Sequence, residues 1–252
     1  MKGLALFAVA LTGALLLYAT GDFPAWGSLD SPANGGELST HYIEKVRTET
    51  EVPNIVTAVL ADYRGFDTMF ETVVVFVAGI AIIAVLRDFG NGSRGYPPAL
   101  ANNLPEEPDL IVTQTCNLVI PVLQTFALYV LAHGHHSPGG GFQGGVMLGA
   151  SYILIALANG VEVAMKVMSE RKIMLLAATG ILIYSGTGLI CLLLGENFLD
   201  YHVLSRILPT DPVMARSHAM LIVETGVAFT VTAIMFSIYA NLATRGTLKG
   251  GL

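Results

Sequence analysis

Charge is what this sequence has least of. Only 13% of its 252 residues are Asp, Glu, Lys or Arg, against roughly 25% in a soluble domain. Hydrophobic residues make up 53% and the mean hydropathy is +0.63, so a soluble globular domain is excluded. Cysteine is nearly absent: Cys116 and Cys191 lie inside apolar runs without ligand or disulfide spacing. That excludes a disulfide scaffold or an iron–sulfur site, and both read as small core hydrophobes. No nucleophile elbow, phosphate loop, dinucleotide fingerprint or haem motif occurs, so neither covalent catalysis nor a cofactor is expected. A formal charge of −6 argues against nucleic acid as a partner. No internal repeat is visible, which makes a self-contained secondary carrier a poor reading and points to a subunit of something larger.

What is present are long apolar runs. A bilayer core needs about 20 apolar residues per helix, and six runs qualify, at about 3–20, 69–87, 112–132, 142–163, 173–194 and 218–241. The expectation is an all-α polytopic membrane protein with about six transmembrane helices. The first run, with Lys2 ahead of it and small residues near Ala19, has features of a leader but is read as a first spanning helix. With a cytoplasmic amino terminus, that side holds Lys2, Arg87, Arg94, Lys166, Arg171, Lys172, Arg245 and Lys249, against Lys45, Arg47, Arg64, Arg206 and Arg216 opposite. Both termini are therefore expected to be cytoplasmic. The loop after the first run carries most of the negative charge, from Asp22 to Asp67. It is either a solvated loop or a surface that concentrates cations.

A glycine-, proline- and asparagine-rich stretch at 91–111 reads as a linker dividing a two-span part, 1–90, from a four-span part, 112–252. Ahead of the second span, Pro53 followed by Ile55, Val56, Val59, Leu60 and Tyr63 predicts a short interfacial or re-entrant helix with proline in its first turn. Gly141, Gly145 and Gly149 recur every four residues, and Gly180, Gly186 and Gly188 follow in the fifth span. Such faces pack closely against helices of the same chain or of partner subunits.

Few residues could carry chemistry. Asp67 and Glu71 lie one turn apart at the start of the second span, with Arg64 just before them. Closely spaced carboxylates beside an arginine could pass protons or bind sodium. The alternative is an acidic helix amino terminus favoured by the dipole. Glu224 lies about seven residues into the sixth run, roughly 10 Å deep. An ionised side chain at a span's centre costs about 2.5–3.5 kcal/mol, so it needs a partner, water or a proton. His133, His135 and His136 fit no helical metal motif, and no metal is expected. His133 and His136 suit proton exchange or hydrogen bonding at the membrane surface. His218, six residues before Glu224, falls on a different part of the helix surface.

Between two apolar runs, HGHHSPGGGFQGG (133–145) holds three histidines, a proline and a run of glycines. The wider segment 117–160 resembles the B subunit of multisubunit Na+/H+ antiporters of the Mrp (Mnh) type. ETGVAFTVTAIMFSIY, 224–239, is similar to that module's last helix. Residues 54–87, with YRGFDTMFE at their core, resemble the carboxy-terminal end of the large A subunit, found as a separate small subunit in membrane-bound hydrogenases. The resemblance implies a fusion of two modules, whereas many B subunits contain only the four-span part. It implies a membrane subunit exchanging Na+ for H+ beside large, complex I-like antiporter subunits and small membrane subunits in a prokaryotic plasma membrane. It also implies importance for Arg64, Asp67 and Glu71. The ion-path candidates are therefore Glu71, Asp67, Arg64, Glu224, His133 and His136. A structural subunit, or the ion-translocating arm of a redox complex such as a membrane-bound hydrogenase, remains open.

Overall fold

The computed structural model describes residues 2–29, 31–91, 109–244 and 246. The linker expected over 91–111 falls, from 92 to 108, outside the described residues, as do Arg94, Arg245 and Lys249. Among the described residues there is helix and no strand. Six helices are long and apolar enough to cross a membrane, as the six apolar runs predict.

Two compact units are present, Met1–Lys45 and Val46–Leu252. In the first, α1 (Lys2–Ala19) buries no residue and continues into a 3₁₀ turn at Thr20–Asp22. A helix apolar on every side needs lipid or protein around it. The short α2 (Pro32–Gly35) follows, and α3 (Glu37–Thr50) runs across the boundary into the second unit.

The second unit is built around α10 (Pro212–Ala243). Asp211 caps this helix by accepting from the backbone N–H groups of Val213 and Met214, and Pro212 fits the first turn because its missing N–H has no partner to lose. These signals start the helix six residues ahead of the expected 218. In its most apolar stretch 72% of residues are buried, against 11% for α5 (Gly65–Asn91), which makes α10 the centre and α5 peripheral. Packed on it are α5, α7 (Gly141–Asn159) and α9 (Glu170–Leu193), while α6 (Leu110–Ala132) lies against α7.

Small residues permit this arrangement. A Cβ added at Gly141, Gly145 or Gly149 would run into Glu224, Ala228 or Met235 of α10, so the predicted glycine face packs inside the chain. Where α9 crosses α10, Gly180 and Gly226 meet backbone to backbone. Thr230 Oγ1 donates to Ala177 O (2.9 Å) and Thr232 Oγ1 to Gly145 O (3.1 Å) across these crossings. Close approach and hydroxyl-to-carbonyl bonds are what hold helices together where lipid removes the hydrophobic drive. Gly188 packs against Phe198, whereas Gly186 faces open space. Cys191 is buried as expected, but Cys116 is only partly so.

Boundaries elsewhere also differ from expectation. The fourth span stops at Asn159, not 163, because Gly160 adopts φ +90°, and α8 (Val161–Val167) begins after it with Glu162 and Lys166 one turn apart. The short helix before α5 does not start at Pro53. Asn54 caps it, α4 covers Ile55–Ala58, and a π-helical turn, Val59–Tyr63, leads to a break at Arg64. Thr57, Ala58 and Ala61 form its buried face, and Val56 and Leu60, one turn apart, stay exposed.

Gly180→Ala should destabilise the protein by about 1–3 kcal/mol, since the methyl group meets the Gly226 carbonyl and Thr230. Gly186→Ala, on the same helix with nothing within 4 Å, should stay within about 0.5 kcal/mol of wild type. Thermal unfolding of the detergent-purified protein measures both; equal effects would contradict the packing account.

Candidate functional site: a carboxylate-lined cavity

Glu224 sits twelve residues after Pro212, roughly 18 Å along the helix at 1.5 Å per residue and close to the middle of α10. It lies farther from the helix start than the apolar run alone suggests, because the helix starts earlier. The residue is 8% exposed, and its Oε2 is buried without a hydrogen-bond partner among the described residues. It borders a cavity of about 190 Å³. The walls come from α4 and its π turn (Val56, Thr57, Leu60, Ala61), from α5 (Thr68, Glu71, Thr72), from the glycine-rich turn and α7 (Gly139, Gly141, Phe142, Gln143), and from Tyr184, Val223 and Val227. Glu71 and Glu224, 153 positions apart in sequence, thus line one space.

The glycine run is what brings backbone against this carboxylate. Gly140 has φ +128°, and a Cβ there would lie 2.7 Å from Glu224 Oε1. A Cβ at Gly141 would overlap the Glu224 carbonyl, and one at Gly134 would lie 3.0 Å from Oε2. Tyr184, though it lines the cavity, does not serve Glu224: its hydroxyl donates to Gly65 O at 2.9 Å. Tyr201 OH likewise donates to Ala61 O at 3.1 Å, and Thr68 Oγ1 to Leu60 O at 2.8 Å. Two of these carbonyls, Leu60 O and Ala61 O, belong to the π turn, which leaves them outside a regular helix ladder, and the third opens α5. Burial pushes the Tyr201 hydroxyl well above its usual range, so it remains a donor.

The other sequence candidates separate. Arg64 and Asp67 form an i,i+3 ion pair with each other on the surface, 60% and 54% exposed, and Asp67 does not join Glu71 in the cavity wall. In its first turn Asp67 also faces the positive end of the α5 dipole. His133 is exposed, stacked on Tyr129 at 4.1 Å with its Nδ1 3.2 Å from Tyr129 O, and His136 is exposed as well. Neither borders the cavity. The buried histidine is His135, whose Nε2 donates to Ser217 O at 2.9 Å. His218 is exposed.

Sequence reasoning misses the ion pairs between helices. Asp62, 6% exposed, accepts from Arg216 Nε at 2.7 Å, and the Arg216 guanidinium lies over the Tyr63 ring. Burial raises the Asp62 carboxyl above its usual range, and Arg216 pulls it back. At the far end of the bundle Arg87 pairs with Glu170 and also reaches Asn241 Oδ1. A cation near the end of α5 and an acid in the first turn of α9 suit their dipoles. An arginine one turn into an apolar helix is the available signal for the first pair, but it falls ahead of the run expected at 218. Elsewhere Glu196, Asp200 and His202 place ligand atoms within 4.8 Å of one another, with Glu196 already paired to Arg206.

Two family models match parts of the chain. Residues 111–237 match the family model described as a domain related to the MnhB subunit of Na+/H+ antiporters. Residues 14–97 match the MbhE family model, which describes a component of MBH. A protein of Staphylococcus aureus strain Newman named as antiporter subunit mnhB2 is 31% identical over 140 residues, 55% of this chain and 96% of the relative; its counterpart in strain JH1 gives the same figures. A chain of the membrane-bound sulfane sulfur reductase, an archaeal respiratory membrane complex, superposes with a TM-score of 0.64 at 25% identity, over 96% of this chain and 97% of that one. A chain of the Mrp complex from Dietzia sp. DQ12-45-1b shares the fold, with a TM-score of 0.63 at 23% identity, over 99% of this chain and 27% of that one.

Arg216→Met, which leaves Asp62 buried without its cation, should cost about 3–5 kcal/mol, and adding Asp62→Asn should recover most of it; the double-mutant cycle is read by thermal unfolding. For His135, burial holds the imidazole below its usual 6.5, so the folded turn contains the neutral ring. Its contribution is complete above 6.5 and is lost as pH falls through the lowered value. Amide protection over residues 133–140, taken relative to the intrinsic exchange rate at each pH, should therefore fall on acidification, and His135→Gln should flatten that dependence.

Proposed function

The chain belongs to the family of domains related to the MnhB subunit of Na+/H+ antiporters, and from that membership we propose that it is a membrane subunit of a multisubunit cation/proton antiporter complex, with Glu71 and Glu224 as its groups in the ion path. The observation that carries this reading is the shared cavity, lined both by Glu224, whose buried Oε2 has no hydrogen-bond partner among the described residues, and by a second carboxylate, Glu71. A carboxylate oxygen in a protein cavity accepts either a proton or a cation, and the two exclude each other. That exclusion is the elementary requirement for exchanging one against the other. About 190 Å³ holds several waters, each needing roughly 30 Å³, so ions need not shed all hydration there.

In this reading Arg64, Asp67, His133 and His136 are surface groups that exchange with the surrounding water rather than ligands of the buried step. The two family matches support reading residues 1–90 and 112–252 as fused modules. The chain acts as a transporter component and not as an enzyme, in a prokaryotic plasma membrane with both termini cytoplasmic, as the distribution of basic residues supports. Its partners are the large and small membrane subunits of such a complex. A second reading, the ion-translocating arm of a respiratory complex, is favoured by the nearly full-length match to the sulfane sulfur reductase chain. Iron–sulfur absorbance in the natively purified complex would select it.

Sodium-dependent dissipation of an imposed pH gradient in everted vesicles tests the proposal, with assembly matched on native gels. Glu224→Gln and Glu71→Gln should each reduce exchange at least about tenfold, a loss of about 1.4 kcal/mol or more, and Asp67→Asn far less. Full exchange in both glutamine variants would make the chain a scaffold.

A further inference from the structure

One contact between the two family-matched segments is not explained by the cavity itself. The start of α4 is tied to the glycine-rich turn by four hydrogen bonds. Asn54 N donates to His135 O at 3.0 Å, Asn54 Nδ2 lies 2.8 Å from Gly134 O and 2.9 Å from Ser137 O, and Thr57 Oγ1 donates to Gly134 O at 2.7 Å. The Asn54 side chain works in two directions, since its Oδ1 accepts from Val56 N at 3.1 Å and so caps α4. Only an amide supplies both an acceptor for the helix and N–H donors for the turn carbonyls, and Thr57 Oγ1 also lies 3.0 Å from Asn54 Nδ2. Thr57 is 3% exposed, and its hydroxyl is committed to the Gly134 carbonyl.

Gly134 is the residue through which this matters. Its carbonyl is held by Asn54 and Thr57, while its α-carbon abuts Gly140 and the unpartnered Oε2 of Glu224, with 2.7 Å and 3.0 Å left for a Cβ. No side chain of Gly134 stands between the turn and the carboxylate. A displacement of the turn changes the clearance around Oε2 directly.

We infer that Asn54 and Thr57 are positioning residues for Glu224, acting through the Gly134 carbonyl, so that the first module sets the access of the carboxylate carried by the second. This rests on the proposal that Glu224 lies in the ion path, but the geometry can be tested apart from transport. Asn54→Asp keeps an equally good helix cap and turns a carboxylate oxygen toward two carbonyl oxygens. Thr57→Val keeps the shape and loses the donor, and Thr57→Ser keeps the donor.

The assembled complex in vesicles is labelled with dicyclohexylcarbodiimide, which reacts with buried carboxyl groups. Modification of Glu224 is followed by peptide mass, with Glu224→Gln as the blank, and exchange is measured in parallel. Asn54→Asp and Thr57→Val should label Glu224 faster, on the order of tenfold for the loss of these bonds, with Thr57→Ser close to wild type. The cation concentration for half-maximal exchange should move more than the maximal rate. Should Asn54→Asp fail to assemble, Thr57→Val against Thr57→Ser decides. Unchanged labelling in Thr57→Val overturns the inference. Faster labelling with exchange unaffected, also in Glu224→Gln, would uphold the positioning role while removing Glu224 from the ion path.

Discussion

The larger unit depends on backbone reaching backbone along α10. Helices in an apolar surrounding gain nothing from hiding leucines from one another, so they associate by close van der Waals contact and by hydroxyl-to-carbonyl bonds. Here Gly141, Gly145 and Gly149 on α7 and Gly180 on α9 bring those helices onto α10, and Thr230 and Thr232 bond across the seams. The same requirement shapes the cavity. The residues of the turn that abut Glu224 are glycines, which have no side chain to offer a hydrogen bond or to fill space. A buried carboxylate oxygen without a partner is the local consequence of packing the rest of the bundle tightly.

Polar pairing is placed away from that centre. Asp62 and Arg216 join the π turn to the beginning of α10, and Arg87 and Glu170 join the end of α5 to the start of α9. Arg87 and Glu170 sit near helix ends whose dipoles favour them, whereas Arg216, near the start of α10, is held by Asp62 against the dipole. Tyr184 and Tyr201 satisfy backbone carbonyls around the break between α4 and α5. The middle of α10 is thus surrounded by satisfied elements, and Glu224 Oε2, the buried oxygen left without a partner there, belongs to a residue that lines the cavity. Selective placement of an expensive group is the ordinary mark of function in an apolar environment.

Much of this is legible in sequence. Six apolar runs predict six long helices because span length is set by bilayer thickness and helical rise. The four-residue glycine spacing in 141–149 predicts a close-packed face because positions four apart share one side of a helix. Glu224 stands out as a charge in an apolar run. Less legible are the helix starts. Asp211 and Pro212 are a cap signal, yet the polar residues Arg216, Ser217 and His218 conceal it from a hydropathy reading. The π turn is hidden because a one-residue widening has no compositional signature. Nor does local pattern choose among three adjacent histidines: His135 is the buried one, and His133 and His136 are exposed.

By itself the sequence determined that the chain is helical, membrane-spanning and poor in chemistry, and that Glu224 would have to be accommodated, since these follow from local composition and periodicity. Only the tertiary structure decided which groups meet. It set Glu71 rather than Asp67 in one cavity with Glu224, turned the glycine face inward onto α10, paired Asp62 with Arg216 and joined Asn54 to the turn at 134–137. These contacts link positions some 80 to 150 residues apart, and no local pattern encodes them, because they depend on how helices cross and not on the order of residues within any one helix.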